Sequence, residues 1–221
     1  KLTAEALKDE EIPVGIIPAG SANGLASNLN LPINIEEQIH IGLGNTFRKM
    51  DVILINDEYC LHIADFGINA ELIGNYAGST IRGKLGYALH SIPTLFESEY
   101  PFQFEIKANN QTFKKVGILL AIANANSYGT GAHVNPKGKI DDGFFEVLIF
   151  KHFDIIKILK TLGNEVDYDS EFMETISTKE AEISCANPVA FQIDGEYLGK
   201  KELIHAEILP NKLTIAVPKK I

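Results

Sequence analysis

The sequence predicts a mostly antiparallel β-sandwich or barrel attached to a smaller α/β fragment. Short apolar segments separated by turn residues dominate from about residue 45 onward, and this spacing is typical of all-β domains. Before that point an apolar segment is followed by a turn containing Gly and Ser and by two short helical patterns. That order indicates a strand–turn–helix unit joined to a sheet-rich domain.

The N-terminal fragment is predicted to contain one strand and two helices. Ile12–Pro18 is short, apolar and bounded by proline, so we expect a buried strand. Leu25–Leu29 follows the turn as the start of a helix. Ile35–Leu43 has apolar residues at positions 35, 39 and 43 and glutamates near its start, a pattern that predicts a second short helix.

The rest of the chain is predicted to be strands, apart from two further helices. Those helices are Thr80–Ser98, with Pro93 as a kink or break, and Phe153–Leu162, which Gly163 ends. Asn109–Asn110 is a predicted turn. The predicted strands are Thr46–Asn56, Tyr59–Phe66, Phe102–Ile106, Val116–Ala123, Gly143–Phe150, Thr175–Ser184, Val189–Ile193, Leu203–Leu209 and Leu213–Val217.

Composition places the chain among ordinary globular proteins and disfavours several functions. Hydrophobic residues make up 45% and charged residues 22%, close to the globular average. The longest apolar run, Ile118–Ala123, is much shorter than the roughly 20 residues that a spanning helix needs. The net charge of −9 disfavours nucleic-acid binding, which depends on cationic side chains. Cys60 and Cys185 lack metal or disulfide-framework spacing and fit a reducing compartment.

The first segment that could carry chemistry is Val14–Ala26. It delivers Gly20, Ser21 and Asn23 to the turn before a helix, where free backbone N–H groups bind phosphate well. An ordinary turn with Ser21 or Asn23 as the helix cap explains the same residues, and the pattern alone favours that interpretation.

Two later segments place carboxylates at turns. Asp141–Gly143 suits a tight turn or a hard cation held by a carboxylate and carbonyl oxygens. Asp194–Glu196 follows an apolar strand, and Asp-Gly is first of all a hairpin signal. Two carboxylates two residues apart can also act as a base and as a metal or ribose ligand. Spacing alone favours the turn interpretation in both places.

Six segments, taken in order, resemble the motifs of the diacylglycerol kinase and sphingosine kinase family of lipid kinases. They extend from Ile12 to Pro218 and are PVGIIPAGSANGLA, IADFGINAELI, GKLGYAL, NANSYGTGAHVNPKGKIDDG, FQIDGE and HAEILPNKLTIAVP. The resemblance implies an α+β fold, with a mostly antiparallel β-sandwich domain and the C-terminal remnant of an α/β nucleotide-binding domain. It also implies an ATP- and Mg²⁺-dependent kinase that phosphorylates the hydroxyl of a diacylglycerol-like or long-chain-base lipid.

The resemblance divides the chain into three units. Residues 1–43 would be the remnant of the α/β nucleotide-binding domain, 44–206 the β-sandwich, and 207–221 a tail strand that returns to the first domain. The leading motif of the family, Gly-Gly-Asp-Gly-Thr, is not in this sequence, and the chain begins at Lys1. We therefore expect the natural protein to begin upstream, and this chain alone to lack kinase activity.

The motifs imply a nucleotide site and a catalytic base. Gly20, Ser21 and Asn23 would lie near the nucleotide, and Glu196 would contact the ribose or the ATP metal. Asp194 would be the general base that takes the proton of the lipid hydroxyl. The Asp of the missing upstream motif is a rival for that role.

Cations and a head-group acid follow from the same resemblance. Arg82 and Lys84 are candidate phosphate-binding residues, although a solvated surface explains them equally well. Glu71 lies where sphingosine kinases carry an acid that binds the substrate head group. Asn69 stands where the family often has Asp, and Thr130 interrupts the family's triple-Gly loop.

The resemblance also implies a structural metal and a membrane-bound substrate. Asp142 matches the carboxylate of a Mg²⁺ site, completed by the carbonyl oxygens of Lys139 and Phe144 and by water. The expected partner is a lipid at a membrane surface, met by a cytoplasmic, peripherally associated protein that does not bind nucleic acid. Exposed apolar surface would allow the chain to self-associate as a homodimer.

Two other functions fit the same sequence. The first is a kinase of the same architecture acting on a soluble substrate, as NAD kinases do, and the second is a non-catalytic lipid-binding sandwich. A lipid kinase needs an apolar channel, whereas a dinucleotide kinase needs polar walls. A Gly-Gly-Asp-Gly-Thr motif upstream would argue against the non-catalytic alternative.

Overall fold

The computed structural model describes the chain except for residues 1, 8–9, 21–22, 78–100, 129–131, 134, 136–137, 153–170 and 220–221. The two helices predicted near residues 80–98 and 153–162 therefore lie outside the described residues. Within them the helices are α1 (Leu2–Ala6), α2 (Gly24–Asn28), α3 (Ile35–Gly42) and α4 (Ile68–Ala77).

Helix α3 begins as its sequence predicts. The side chain of Asn34 accepts hydrogen bonds from the backbone N–H groups of Glu36 at 2.8 Å and Glu37 at 3.3 Å. This satisfies two of the N–H groups that a helix start leaves without a partner. The two glutamates also place negative charge near the positive end of the helix dipole.

Strands make up most of the described chain, and every pairing between the named strands is antiparallel. They are β1 (Phe47–Ile55), β2 (Glu58–Cys60), β3 (Ile63–Gly67), β4 (Phe102–Ala108), β5 (Gln111–Gly117), β6 (Leu119–Ala123), β7 (Ser127–Tyr128), β8 (Ala132–His133), β9 (Phe145–Phe150), β10 (Met173–Thr178), β11 (Glu180–Ile193) and β12 (Glu196–Ala216).

One branched sheet contains every described strand except the β7–β8 pair. Its order is β10-β9-β6-β3-β11-β12-β1-β2, with β4 pairing β11 and β5. Strand β11 is the branch point, because its residues 181–185 pair with β4 and its residues 191–193 pair with β3. The mostly antiparallel fold class predicted from the sequence is confirmed.

The main hydrophobic core lies between the inner faces of this branched sheet. Phe66, Phe145 and Phe191 are among its largest fully buried side chains, and the ring centroids of Phe66 and Phe191 lie 4.6 Å apart. Burying a Phe side chain stabilises a fold by about 1.5–3 kcal/mol. Alternate residues of β11, such as Gln192, point to the opposite face of the sheet.

The segment predicted as a buried strand at Ile12–Pro18 is instead extended chain with one bridge. Val14 forms a parallel bridge with Ile215 near the end of β12. Ile12 and Ile17 are each 52% exposed, so the expectation of burial was wrong. Among the described residues only the end of β12 pairs with this segment, which leaves its other side uncovered. The division of the chain into three units stays a prediction.

Several strand boundaries differ from the sequence expectation. The predicted strand Thr175–Ser184 is divided at Lys179 between β10 and β11, and Val116–Ala123 is divided at Ile118 between β5 and β6. The segment predicted as one strand at Tyr59–Phe66 is interrupted at Leu61 and His62, because the loop there binds a carboxylate described below. The two predicted strands at residues 203–209 and 213–217 form one strand, β12. Asn211 within it has φ 53°, and the register with β1 shifts at that point.

Candidate active site

A two-residue turn joins β11 to β12 and presents the Asp194–Glu196 segment. Ile193 pairs with Glu196, and the residues between them, Asp194 with φ 50° and Gly195 with φ 88°, are both left-handed. Positive φ at both central residues is the hairpin geometry that Asp-Gly favours. The hairpin prediction is confirmed, and the side chains of Asp194 and Glu196 are exposed at the turn.

The Asp194 carboxylate binds the backbone of the loop between β2 and β3. Its Oδ2 accepts from the N–H of Leu61 at 2.7 Å, and its Oδ1 accepts from His62 at 2.9 Å and Ile63 at 3.0 Å. A carboxylate offers about four lone-pair positions. Among the described residues Oδ2 receives only the Leu61 bond, so it keeps an acceptor position for a substrate hydroxyl, and the role of Asp194 as base stays a prediction.

Cys60 lies beneath this carboxylate. Its Sγ is 3.8 Å from Oδ1 of Asp194, and the residue is fully buried. Burial first, and then the charge of Asp194, raise the pKa of the Cys60 thiol well above its ordinary value. The thiol therefore remains neutral at physiological pH, where it can donate to Asp194 but is a poor nucleophile.

A buried polar chain lies behind the hairpin turn. The N–H of Gly195 donates to Oε1 of Gln192 at 2.7 Å, and Nε2 of Gln192 donates to Oδ2 of Asp65 at 2.5 Å. Asn69, in the first turn of α4, donates to the same oxygen at 2.7 Å. Glu71, the predicted head-group acid, lies two residues further along this helix and is half-buried.

Two hydrogen bonds between Gly20 and Asn23 close the predicted nucleotide-binding turn before α2. The N–H of Gly20 donates to Oδ1 of Asn23, and Nδ2 of Asn23 donates back to the carbonyl oxygen of Gly20, both at 2.8 Å. Asn23 has φ 53°. Ser21, Arg82 and Lys84 lie outside the described residues.

Helix α2 is joined to the loop that Asp194 holds. Oδ1 of Asn28, the last residue of α2, lies 2.9 Å from Nε2 of His62, and Nδ2 of Asn28 donates to Oδ1 of Asn126. Because an amide oxygen is an acceptor, His62 is the donor in this pair. The helix that follows the Gly20–Asn23 turn is therefore connected to Asp194 through His62.

The predicted metal residues lie in the turn before β9. Oδ1 of Asp142 accepts from the N–H of Phe144 at 3.1 Å, and both of these residues and Lys139 are exposed. Within the described residues no three His, Cys, Asp or Glu side chains form a candidate metal cluster. A cation here would depend on one carboxylate, on carbonyl oxygens and on water.

The buried carboxylate of Asp51 binds the backbone of the Asp141–Gly143 turn. Its Oδ2 accepts from the N–H of Gly143, its Oδ1 accepts from the N–H of Asn211, and its own N–H donates to the carbonyl oxygen of Ile140, each at 2.7 Å. Asp51 is completely buried. These bonds fix both the Asp142 turn and the register shift in β12.

Sequence analysis missed the residues that connect these parts. They are Asn28, Asp51, His62, Asp65 and Gln192. Asp51, Asp65 and Gln192 each lie between two buried apolar residues of their strand. A polar residue in a buried strand needs a partner, and this signal could have identified them as members of a network.

Within the described residues these turns lie on a mostly antiparallel sheet with few helices, the fold of diacylglycerol kinases and NAD kinases. The chain has a TM-score of 0.70 with the crystal structure of a diacylglycerol kinase from Bacillus anthracis strain Sterne, at 17% identity over 94% of this chain and 67% of that one. An NAD kinase from Archaeoglobus fulgidus in complex with ATP gives a TM-score of 0.50 at 10% identity, over 85% of this chain and 62% of that one. Both likenesses concern the fold.

A family model that matches more than half of the chain identifies the family. Residues 65–217 match the YegS C-terminal NAD kinase beta sandwich-like domain, and residues 2–55 match the diacylglycerol kinase catalytic domain. The chain belongs to this YegS-like, diacylglycerol kinase-related family of lipid kinases, as the motifs predict.

Two curated relatives show how much of such a protein the chain spans. It is 29% identical over 210 residues to the probable lipid kinase YegS-like of Chromohalobacter salexigens, covering 93% of this chain and 67% of that protein. It is 25% identical over 211 residues to the probable lipid kinase YegS of Escherichia fergusonii, covering 93% and 69%. In the part of the chain that the structure describes, no helix is both long and apolar enough to cross a membrane.

Proposed function

We propose that the complete gene product containing these 221 residues transfers the γ-phosphate of ATP to the hydroxyl of a diacylglycerol-like or long-chain-base lipid. The observation that carries the proposal is the connection from α2 through Asn28 and His62 to the loop held by Asp194. This connection joins the Gly20–Asn23 turn and α2, proposed to bind the nucleotide, to the Asp194–Glu196 hairpin, proposed to bind the acceptor. Family membership supports a kinase acting on a lipid.

Each predicted residue has a chemical role in this proposal. Gly20, Ser21 and Asn23 contact the nucleotide, and Glu196 contacts its ribose or metal. Asp194 takes the proton of the lipid hydroxyl as it attacks the γ-phosphate in line. Support for this role comes from the exposure of Asp194 and from the backbone donors that fix its orientation.

Positive charge and head-group recognition complete the proposed site. Arg82 and Lys84 stabilise the charge on the transferring phosphoryl group. Glu71 binds the polar end of the lipid, and its helix α4 packs against β11 and β12. Because the acceptor resides in a bilayer, we place the protein in peripheral contact with the cytoplasmic face of a membrane.

A structural Mg²⁺ is proposed at Asp142, with the carbonyl oxygens of Lys139 and Phe144. One carboxylate and two carbonyl oxygens in a tight turn are hard donors that suit this cation, and water would complete about six ligands. The ion would add rigidity to a turn that Asp51 already holds. Calorimetric titration with MgCl₂ should show binding that Asp142→Asn removes, whereas Asp57→Asn, in an exposed turn, should retain it. Equal binding by both variants argues against the site.

The kinase proposal is tested with the complete gene product. It is incubated with radiolabelled ATP, MgCl₂ and mixed vesicles that contain diacylglycerols or long-chain bases, and with NAD in a separate reaction. We expect label in a lipid product only when the acceptor lipid is present. Transfer to NAD without transfer to lipid would favour a soluble-substrate kinase. Lipid binding without transfer to either acceptor would favour a non-catalytic sandwich.

A further inference from the structure

We propose that Asp65 and Gln192 are positioning residues that hold the Asp194–Gly195 turn and helix α4 on one shared acceptor oxygen. The catalytic part of this inference rests on the proposed function, whereas the contacts of Asp65 and Gln192 are independent of it. The effect is that the hairpin carrying the base and the helix carrying Glu71 keep a fixed relation to each other.

The strand register brings Asp65 and Gln192 together. Gln192 of β11 and Asp65 of β3 are directly opposite in the antiparallel pairing, so their side chains lie on the same face of the sheet. Phe191 and Ile193, on either side of Gln192 in β11, point into the main core on the other face. Gln192 is 1% exposed and Asp65 is completely buried, so each needs a polar partner within the protein.

The amide of Gln192 has only one orientation that satisfies both of its contacts. A carboxylate accepts hydrogen bonds, so Nε2 must face Asp65. Oε1 is then directed to the N–H of Gly195, 2.7 Å away. Gln192 thereby fixes the second residue of a turn whose two residues are both left-handed, and with it the direction in which Asp194 and Glu196 leave the sheet.

Asn69 makes the contact between Asp65 and helix α4. It donates to the oxygen of Asp65 that Gln192 also uses, at 2.7 Å. Asn69 lies four residues after Asp65, in the first turn of α4, and two residues before Glu71. Asn69 and Gln192 therefore share Oδ2 of Asp65, and Gln192 also binds the hairpin turn. Displacement of α4 or of the turn breaks one of these hydrogen bonds.

The inference predicts how four variants of the complete gene product behave. Gln192→Leu should lower kcat by about 10- to 100-fold, because misplacement of a reacting group by about 1 Å has an effect of this size. The KM for ATP should change much less. Asp65→Leu should lower kcat similarly, and Asp65→Asn, which keeps an oxygen acceptor, should recover most of the loss. Gln103→Leu makes the same change at an exposed position of β4 and serves as the control.

A second measurement reports on the contact without any catalysis. In the wild-type protein the Gly195 amide proton should exchange slowly, and Gln192→Leu should accelerate its exchange while the amides of β6 remain protected. If no acceptor is phosphorylated, the kinase proposal fails and this exchange measurement still decides the network. Wild-type kcat in Gln192→Leu, or unchanged exchange at Gly195, would overturn the inference.

Discussion

Single residues hold the candidate site through contacts with chain segments far away in the sequence. Asp194 accepts from Leu61, His62 and Ile63, and Asp51 accepts from Gly143 and Asn211. Hydrogen bonds to a charged group contribute about 1.5–3 kcal/mol each. Asp194 can therefore be important for stability and for catalysis at once, and the two contributions can be measured separately.

Replacement of Asp194 by Asn separates these contributions. The amide keeps one oxygen acceptor but turns its NH₂ group toward backbone N–H donors, so we expect unfolding to require about 1–3 kcal/mol less free energy. If Asp194 is also the base, kcat falls by about 10²- to 10⁴-fold. Urea unfolding and steady-state kinetics on the one variant give both values, with Asp57→Asn as the control. A normal kcat would exclude the base role, and a normal unfolding midpoint would contradict the loop contacts.

Glu174 makes the stability dependent on pH. Hydrogen bonds from Lys115 and Lys151 lower the pKa of its carboxyl. A lowered folded-state pKa means that the ion pairs stabilise the protein above the unfolded value of 4.5, and that this stability is lost as the pH falls through the folded value. Glu174→Gln should therefore cost about 0.2–1 kcal/mol at neutral pH. In urea titrations the difference from wild type should vanish in acid, and a constant difference would contradict the pairing.

At the scale of elements, the junction of β3 and α4 requires glycine. Gly67 has φ 104°, and a Cβ there would overlap the carbonyl oxygen of Ile118. Gly67→Ala should lower the free energy of unfolding by about 2–4 kcal/mol, because backbone strain and overlap combine. Gly143→Ala is a matched control with φ 75° and open space around the added Cβ, and it should cost about 1 kcal/mol. Equal urea midpoints for the two variants would show that overlap at Gly67 is not important.

Helix α3 reverses the burial that its sequence predicts. Ile35 is 58% and Leu43 83% exposed, whereas Gln38 is only 5% exposed. Gln38 donates to the carbonyl oxygens of Pro32 and Ile33 at 2.7 and 3.2 Å. The apolar stripe therefore contributes less to the stability of this chain than the polar side chain beside it.

This reversal predicts an unusual pair of variants. Gln38→Ala should destabilise the protein by about 1–2 kcal/mol, because it removes both hydrogen bonds that this buried side chain makes. Ile39→Ala, at a position 42% exposed, should change the free energy of unfolding by about 0.5 kcal/mol or less. Thermal unfolding of the two variants provides the comparison. A larger effect at Ile39 would mean that another surface covers α3 in solution, as in the homodimer expected from exposed apolar residues.

At the scale of the whole molecule, the end of β12 connects the N-terminal segment to the sheet. Val14 donates to the carbonyl oxygen of Thr214 at 2.8 Å and accepts from the N–H of Ala216 at 3.0 Å. Residues 213–216 of β12 also pair with β1 through Phe47–Met50. Residues 213–216 therefore bridge the N-terminal segment and β1.

Deletion of residues 213–221 should release the N-terminal segment first. We expect hydrogen exchange to accelerate at residues 10–18, while β6 and β9 retain protection because their pairing does not involve β12. Deletion of residues 219–221, which follow β12 in the sequence, is the control and should leave exchange unchanged. Slow exchange at residues 10–18 in the longer deletion would contradict this bridging role.

Sequence alone determined the elements whose causes are local. The Asp-Gly hairpin at residues 194–195, the start of α3 at Ile35 and the mostly antiparallel class follow from neighbouring residues and from the spacing of apolar segments. Family membership was predictable for a related reason, since six short motifs occur in a fixed order. Turn chemistry, capping and periodicity act over a few residues.

Only the tertiary structure decided which distant groups meet. Nothing near Asp194 in sequence indicates that its carboxylate binds the amides of residues 61–63, and nothing near Asp65 indicates that Gln192 and Asn69 share its oxygen. The exposure of Ile12 and Ile17 likewise depends on which strands cover them. Long-range pairing is set by sheet register and by burial of the whole core, because a polar group in a dry interior must take whatever partner the fold brings within reach.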